Sequence, residues 1–205
     1  MKWQINKIQF PVYNLGEGKR IGIWVQGCSL HCKGCVNQTL WKKEGGASIE
    51  VLDIFNWLLQ IQNDYDGITI SGGEPFQQYH QLITFLHLIK TKTSLSVHCF
   101  SGYYLNELCE LYPDKLFLNY IDTLVDGRYL EEHHDDRNNK GSSNQKIYFI
   151  KNGVPVIFEG FIPSTQWSLH VDPDKRIYMA GIPKKNELNK ITDELNKIGF
   201  PIKFK

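Results

Sequence analysis

Three cysteines stand within eight residues of one another in Cys28-Ser29-Leu30-His31-Cys32-Lys33-Gly34-Cys35, a C-x3-C-x2-C spacing. Thiolates so crowded can face one soft metal centre. Structural zinc normally takes four ligands, and the remaining Cys99 and Cys109 fall in a predicted strand and a predicted helix without C-x2-C spacing. His31, between Cys28 and Cys32, would have to share a very tight loop with them. A [4Fe–4S] cube held by three thiolates leaves one iron open to a substrate or cofactor, which suits a catalytic cluster rather than an electron carrier held by four. From the residues alone, the cluster, a zinc site and incidental thiols all stay open.

Short β-rich runs and amphipathic stretches alternate around this loop. Residues 21–26 read as a strand running straight into the cysteines. Ser48 suits an N-cap, with Val51, Leu52, Phe55, Leu58 and Leu59 at helical spacing behind it, so a helix is predicted over 48–62. Asp66-Gly67 then precedes a short strand, 68–70, that ends in Ser71-Gly72-Gly73-Glu74-Pro75, and Pro75 suits the first turn of the following helix. That helix carries Leu82, Ile83, Phe85, Leu86 and Ile89 on one side; a strand over 95–100 follows and ends at Ser101-Gly102. A short helix over 104–111 and a longer strand over 116–125, closed by Asp126-Gly127, complete the series. Strands separated by helices argue for a mainly parallel sheet, because parallel neighbours need a crossover connection.

Residues 131–146 are polar throughout and read as a loop, in which adjacent His133 and His134 are solvated rather than metal-binding. Beyond it come β-like runs at 147–151, 154–158, 167–171 and 176–179, a helix at 183–198 and a terminal strand at 201–204. His98 and Cys99 alternate in a strand, so one of them faces the core, and Trp41, Trp57 and Trp167 read as packing residues.

The 205 residues carry 23 Lys and Arg against 22 Asp and Glu, so a formal charge of +1 gives no sign of a nucleic-acid or membrane partner. An apolar fraction of 41% excludes disorder as the main state. The N-terminal residues alternate polar and apolar without the continuous run of a signal peptide or spanning helix, which points to the cytoplasm, where clustered cysteines mean metal or catalysis. The length fits one domain with an appendage: residues 1–150, and an extension of unknown role, 151–205, packed on it.

The cysteine triplet after a first strand and Ser71-Gly72-Gly73-Glu74-Pro75 after a second together resemble the radical S-adenosylmethionine (SAM) superfamily. Gly16-Glu17-Gly18-Lys19-Arg20, Trp24-Val25-Gln26-Gly27-Cys28 and Cys35-Val36-Asn37 resemble the activating enzymes of glycyl radical proteins. Residues 122–129 and Gly141-Ser142-Ser143-Asn144-Gln145 resemble the activating proteins of anaerobic, class III ribonucleotide reductases. Many superfamily members have an aromatic residue before the third cysteine; this chain has Gly34, as the reductase activases tend to.

The resemblance implies an α/β fold: an incomplete parallel βα barrel of the radical SAM type, open on one side, with a C-terminal β-rich and helical extension. It implies Cys28, Cys32 and Cys35 as ligands of a [4Fe–4S] cluster, and Gly72, Gly73 and Glu74 as the seat of the SAM amino group, with Pro75 fixing the turn. Glycines let backbone approach a ligand, and a carboxylate offers charge-assisted bonds. Ser101 and Gly102 would touch the ribose or carboxylate, Asp126 would lie near the cofactor or the incoming peptide, and Asn37 would belong to the cofactor site. Arg20 reads either as closing the base of the cluster loop or as a surface side chain, and Asn144 and Gln145 as positioning partner backbone or capping local structure. Implied partners are a glycyl radical protein, the anaerobic reductase first, and an external one-electron donor such as flavodoxin or ferredoxin. The alternatives are a radical SAM enzyme acting on another peptide or small molecule, and a non-catalytic cluster or zinc module that docks a partner.

Overall fold

The computed structural model describes residues 1–135, 140–160, 167–171, 177–181, 187–197 and 199. Its first strand, β1 (Lys2–Val12), is where the N-terminal alternation of polar and apolar residues goes. β1 pairs antiparallel with β2 (Arg20–Val25) on one side and β3 (Ala47–Glu50) on the other. An irregularity between Ile5 and Lys7 adds one residue to β1 and so reverses which side chains face which way. Trp3 and Ile5 before it, and Ile8 after it, pack into the same apolar cluster, while Lys7 and Gln9 turn to the opposite face, in register with Trp24 and Gly22.

β3 leads directly into α1 (Val51–Ile61), whose N-cap is Glu50, two residues beyond the predicted Ser48. β4 (Gly67–Gly72) follows, then a 3-10 turn at Pro75–Gln78, α2 (Tyr79–Lys92), β5 (Ser96–Phe100) and α3 (Leu105–Leu111). The strand predicted over 116–125 is shorter than expected: Leu116–Asn119 is a 3-10 turn that buries Phe117 and Leu118, and β6 spans only Thr123–Asp126. β7 (Lys146–Lys151) and β8 (Val154–Ile157) close the sheet, so it runs past the boundary expected at residue 150.

The strand order is β3-β1-β2-β4-β5-β6-β7-β8. β2, β4, β5 and β6 are parallel, and both flanks are antiparallel. The pairing is thus an open, mixed α/β sheet, and the expected parallel arrangement holds for its centre. The reason lies in the connections: β1 to β2 and β7 to β8 are short enough for hairpins, whereas the central strands are joined through helical crossovers.

The helices cover one face. Ile21, Ile23, Val25, Ile68, Ile70, Val97, Cys99 and Leu124 point to it and meet Leu58 of α1, Leu82, Phe85 and Leu86 of α2, and Leu108 of α3 in one buried cluster. Trp3 anchors its edge, 5.3 Å from Phe85 between ring centroids. Cys99 is therefore the inward member of the His98–Cys99 pair toward the helices, although His98 is buried on the other face.

That other face carries a smaller cluster, Val12, Leu15, Trp24, Leu40 and Ala180, with Phe100 packed against it. Ala180 belongs to β10 (Ile177–Gly181), which pairs antiparallel with β9 (Trp167–Val171) in a separate two-stranded sheet. α4 (Glu187–Lys197) is the last described element and falls within the predicted 183–198; the rest of that span and the predicted strand at 201–204 lie outside the described residues.

At the β8 edge, Phe158 N–H bonds the Ile147 carbonyl, which turns the main-chain groups of Val154 and Val156 toward β7 and leaves those of Pro155 and Ile157 facing outward. Beside this edge Phe149, Val154 and Val156 are exposed.

Candidate functional site

The carboxyl ends of the four parallel strands hold the sequence motifs. β2 runs into the cysteine loop, β4 into Gly73-Glu74-Pro75, β5 into Ser101-Gly102, and β6 ends on Asp126 before Gly127. Ligand sites in parallel α/β folds gather at this end.

Two main-chain bonds close the neck of the cysteine loop: Gly27 N–H to the Leu40 carbonyl at 2.8 Å and Cys28 N–H to the Trp41 carbonyl at 3.0 Å. Inside, Cys35 N–H bonds the Cys32 carbonyl at 3.1 Å, and Asn37 N–H points at Cys35 Sγ from 3.4 Å. His31 adopts φ 48° and lays its ring on Trp41, 4.8 Å between centroids. Gly34 has φ +74° and sits against the Glu131 side chain, while neighbouring Lys33 pairs with that carboxylate at 3.2 Å. A larger residue at 34 would meet both a strained backbone and Glu131.

Cys28, Cys32 and Cys35 line one open-mouthed cavity of about 140 Å³ with Asn37, the 71–74 turn, Ser101 and Gly102. Leu30, Phe100 and Tyr129, which no sequence signal marks, are further walls, together with Gln145, read from sequence as positioning partner backbone or capping local structure, and Trp41, read only as packing. A wider concavity of about 670 Å³ borders α4, and among the described residues it shares no wall with the cysteines. Burial raises the Cys28 and Cys35 thiols above their ordinary range, against the pull of neighbouring N–H groups.

Gly72 and Gly73 are fixed by packing before any ligand is considered. Gly72 has φ +107°, and a Cβ there would lie 2.5 Å from Val25 N; a Cβ on Gly73 would collide with the Gly27 carbonyl oxygen. Gly73 N–H bonds the Val25 carbonyl at 2.8 Å and Glu74 N–H the Gly27 carbonyl at 2.9 Å. The turn is therefore laid directly on the root of the cysteine loop.

Two glutamines just after it extend that clamp. Gln77 donates to Ser29 Oγ (2.7 Å) and accepts from Ser29 N–H (3.1 Å). Gln78 donates to the Gln4 and Gln26 carbonyls, each at 3.0 Å. Both are polar residues in a polar stretch, so the sequence offered no periodic signal for them.

The Glu74 side chain is 1% exposed and accepts three bonds: Phe76 N–H (3.0 Å) and Ser101 Oγ–H (3.0 Å) on Oε1, and Gly102 N–H (2.6 Å) on Oε2. An ionised carboxylate offers about four acceptor positions, so about one remains, on Oε2. Burial pushes this carboxyl up to about 7, against the pull of the Gly102, Phe76 and Ser101 donors and the Arg128 charge. Ser101 is buried, and its hydroxyl also accepts from Tyr103 N–H at 3.1 Å. Ser101 and Gly102 thus lie in the cavity wall, and their polar groups hold Glu74.

Asp126, 1% exposed, accepts from Leu105 N–H at 2.7 Å, the first residue of α3, and from Lys146 N–H at 3.1 Å, the first of β7. Burial raises its carboxyl above the ordinary range. It braces two elements and is not among the cavity walls, which here include its neighbour Gly127. Gln145 accepts from Gly141 and Ser142 N–H (2.8 and 3.1 Å) and donates to the Gly127 carbonyl (2.7 Å). Asn144 donates to the Arg128 carbonyl at 2.9 Å.

Arg20 is neither of the things read from sequence. It is 2% exposed at the amino end of β2, away from the cysteines, and bonds Thr69 Oγ1 (2.8 Å), the Ile68 carbonyl (2.5 Å), Ser96 Oγ (2.9 Å) and the Glu17 carbonyl (2.8 Å). It ties the amino ends of β2, β4 and β5, and burial lowers it to about 10.

These residues fit the implied cofactors. Among the described residues no three Cys, His, Asp or Glu side chains converge on a point as ligands of a single ion do. The three thiols instead share the walls of one cavity with a buried carboxylate that keeps an acceptor position. Soft sulfur donors without a fourth protein ligand suit an iron–sulfur cube with an open corner.

Such a site, a three-thiolate loop laid against a Gly-Gly-Glu turn at the carboxyl rim of a parallel sheet, defines the class: an α/β protein that keeps a single cluster at an exposed mouth. Residues 14–148 match the family described as a 4Fe-4S single cluster domain. The chain is 33% identical over 143 residues to the anaerobic ribonucleoside-triphosphate reductase-activating protein of Haemophilus influenzae, covering 66% of this chain and 91% of that one. It is 24% identical to the protein of the same name from Enterobacteria phage T4, covering 68% and 89%. It is 37% identical over 79 residues to the pyruvate formate-lyase-activating enzyme of Listeria monocytogenes, covering 37% and 32%. A solved structure of QueE from Escherichia coli aligns with a TM-score of 0.43 at 18% identity over 50% of this chain and 53% of that one. The chain belongs to this single-cluster family and, within it, to the radical SAM glycyl radical activating enzymes, whose cofactors are a [4Fe–4S] cluster and SAM. No helix among the described residues is long and apolar enough to cross a membrane.

Proposed function

We propose that this enzyme activates an anaerobic ribonucleotide reductase by removing hydrogen from a backbone glycine of that partner. The observation that carries the reading is the single cavity shared by Cys28, Cys32, Cys35 and the Gly72-Gly73-Glu74 turn. The names of the relatives that match over some 140 residues favour the reductase as partner. When bound and given one electron by an external donor, the cluster and SAM supply a 5′-deoxyadenosyl radical able to take hydrogen from a glycine Cα.

The protein's own part is binding, orientation and exclusion of water. Cys28, Cys32 and Cys35 hold the cluster and must lose their protons to do so, a loss that burial opposes at Cys28 and Cys35. Glu74, held rigid by three donors, turns its remaining acceptor position on Oε2 to the cofactor's ammonium. Asn37, Ser101 and Gly102 line the seat, and Leu30, Trp41 and Phe100 give it apolar walls. At about 140 Å³ the cavity is smaller than the roughly 300–1,000 Å³ of pockets that enclose a whole drug-sized ligand, so part of a nucleoside cofactor stands in the mouth, where a partner segment can meet it.

The test is anaerobic reconstitution with iron and sulfide, then addition of SAM, a reductant and the reductase. Release of 5′-deoxyadenosine together with a glycyl radical doublet by electron paramagnetic resonance is expected. Release without the doublet would remove the reductase as partner; no release would remove the radical reading.

A further inference from the structure

On the helix-free face of the sheet, Gln9, Gly22, Thr69, His98 and Thr123 stand in register across β1, β2, β4, β5 and β6. Gln9, Thr69 and His98 of this row are polar and buried, and Gln9 and His98 are incompletely bonded. Gln9 is 5% exposed, yet among the described residues neither its Oε1 nor its Nε2 has a hydrogen-bond partner. His98 Nε2 and Asn14 Oδ1 are likewise buried without a partner. Unsatisfied groups of this kind are few in native proteins and call for an explanation.

The β9–β10 hairpin lies over this face. Asn14 Nδ2 donates to the Ala180 carbonyl at 2.6 Å and to Ser168 Oγ at 3.4 Å, and Ala180 enters the small apolar cluster with Trp24 and Leu40. Phe100 packs on that cluster and is also a wall of the cysteine cavity. β10 thus contributes a small residue, Ala180, to the cluster on which Phe100 packs, and Gly181, whose φ is +118°, follows it. The family match stops at residue 148, so the hairpin is an addition to the family's domain.

We propose that β9–β10 is an internal occupant of the groove that receives the partner's glycine-bearing segment, and that the partner must displace it to be activated. This rests on the function proposed above. A carboxamide that bonds a strand's main-chain carbonyl can bond any extended chain, whatever its side chains. The idle amide of Gln9 has both a donor and an acceptor to offer another backbone. A small residue next to glycine is also what a site built for a glycine Cα would tolerate against Trp24 and Phe100. An occupant that leaves buried polar groups unbonded is replaceable by one that bonds them.

The test uses the full chain, a synthetic peptide copying the radical-site glycine segment of the reductase, and hydrogen exchange read by mass spectrometry. In the wild type, peptide binding should speed exchange in residues 177–181. Ala180→Asp, which places a charge in the apolar cluster and leaves every groove residue intact, should speed the same amides without peptide. It should also tighten peptide binding about tenfold, as expected when a groove closed nine times in ten is opened. If Ala180→Asp fails to fold, Ala180→Leu, which overfills the same contact, replaces it.

Peptide binding with the hairpin still protected, or with unchanged affinity in both variants, would overturn the inference and leave the activase reading standing. If no form binds the peptide, the inference falls. The choice of partner falls with it only if the intact reductase also gives no glycyl radical although 5′-deoxyadenosine forms.

Discussion

Glu74 shows how one residue can be legible and still be misread. Its type and position point to an acceptor for a cationic ligand, and it does line the cavity, but three of its bonds are internal and no spacing rule foretold them. With its carboxyl raised from 4.5 to about 7, the stability tied to it is present at acid pH and is lost as the pH climbs through that interval. A cationic cofactor reverses this by favouring the carboxylate, so SAM binding at pH 7 should release about half a proton, seen by calorimetry in two buffers of different ionisation enthalpy. Glu74→Gln should abolish that release, and equal release by the variant would separate the carboxyl from the ligand. His98 has the opposite sign. Burial and the Arg20 charge lower it from 6.5 to about 3, so its contribution is present above 6.5 and is lost as the pH falls toward 3. Urea unfolding of wild type against His98→Phe should show a difference growing by about 1.4 kcal/mol per pH unit below 6.5. A constant difference would mean that His98 is protonated in the fold.

The elements were read best where hydrophobic period and punctuation agreed. α2 and β5 carry both signals and lie within a few residues of where the sequence puts them. β1 was missed because its alternation breaks at the irregularity after Ile5, so no single period spans it. Residues 116–125 read as one strand because Leu116, Phe117 and Leu118 are apolar, but they are apolar for another reason: a 3-10 turn buries two of them under the sheet. The glycines of the β4 turn were assigned to ligand approach, whereas contact with the β2 loop already requires them. Gly73→Ala should therefore destabilise the protein without any cofactor, by about 2 kcal/mol or more in urea unfolding, a cost typical of forced backbone contacts. Unchanged stability would mean that the two turns do not rest on each other.

Across the whole molecule, chemistry and anchorage sit at opposite ends of the same strands. The cysteines stand at the carboxyl rim, while Arg20 pins the amino ends and the main core lies under the helices. Removing the cluster with a chelator, or replacing one ligand as in Cys32→Ser, should abolish visible absorbance and SAM cleavage yet leave the far-ultraviolet circular dichroism of the wild type. Loss of the secondary-structure signal would show that the loop is needed for folding. The β8 margin bears on a different matter. Its outward row has Pro155 where a neighbouring strand would need an N–H, beside exposed Phe149, Val154 and Val156. A greasy ribbon with an intact rim would template its own polymerisation; with a donor missing, concentrated solutions should resist growth of cross-β fibres, and Pro155→Thr should make them prone to it.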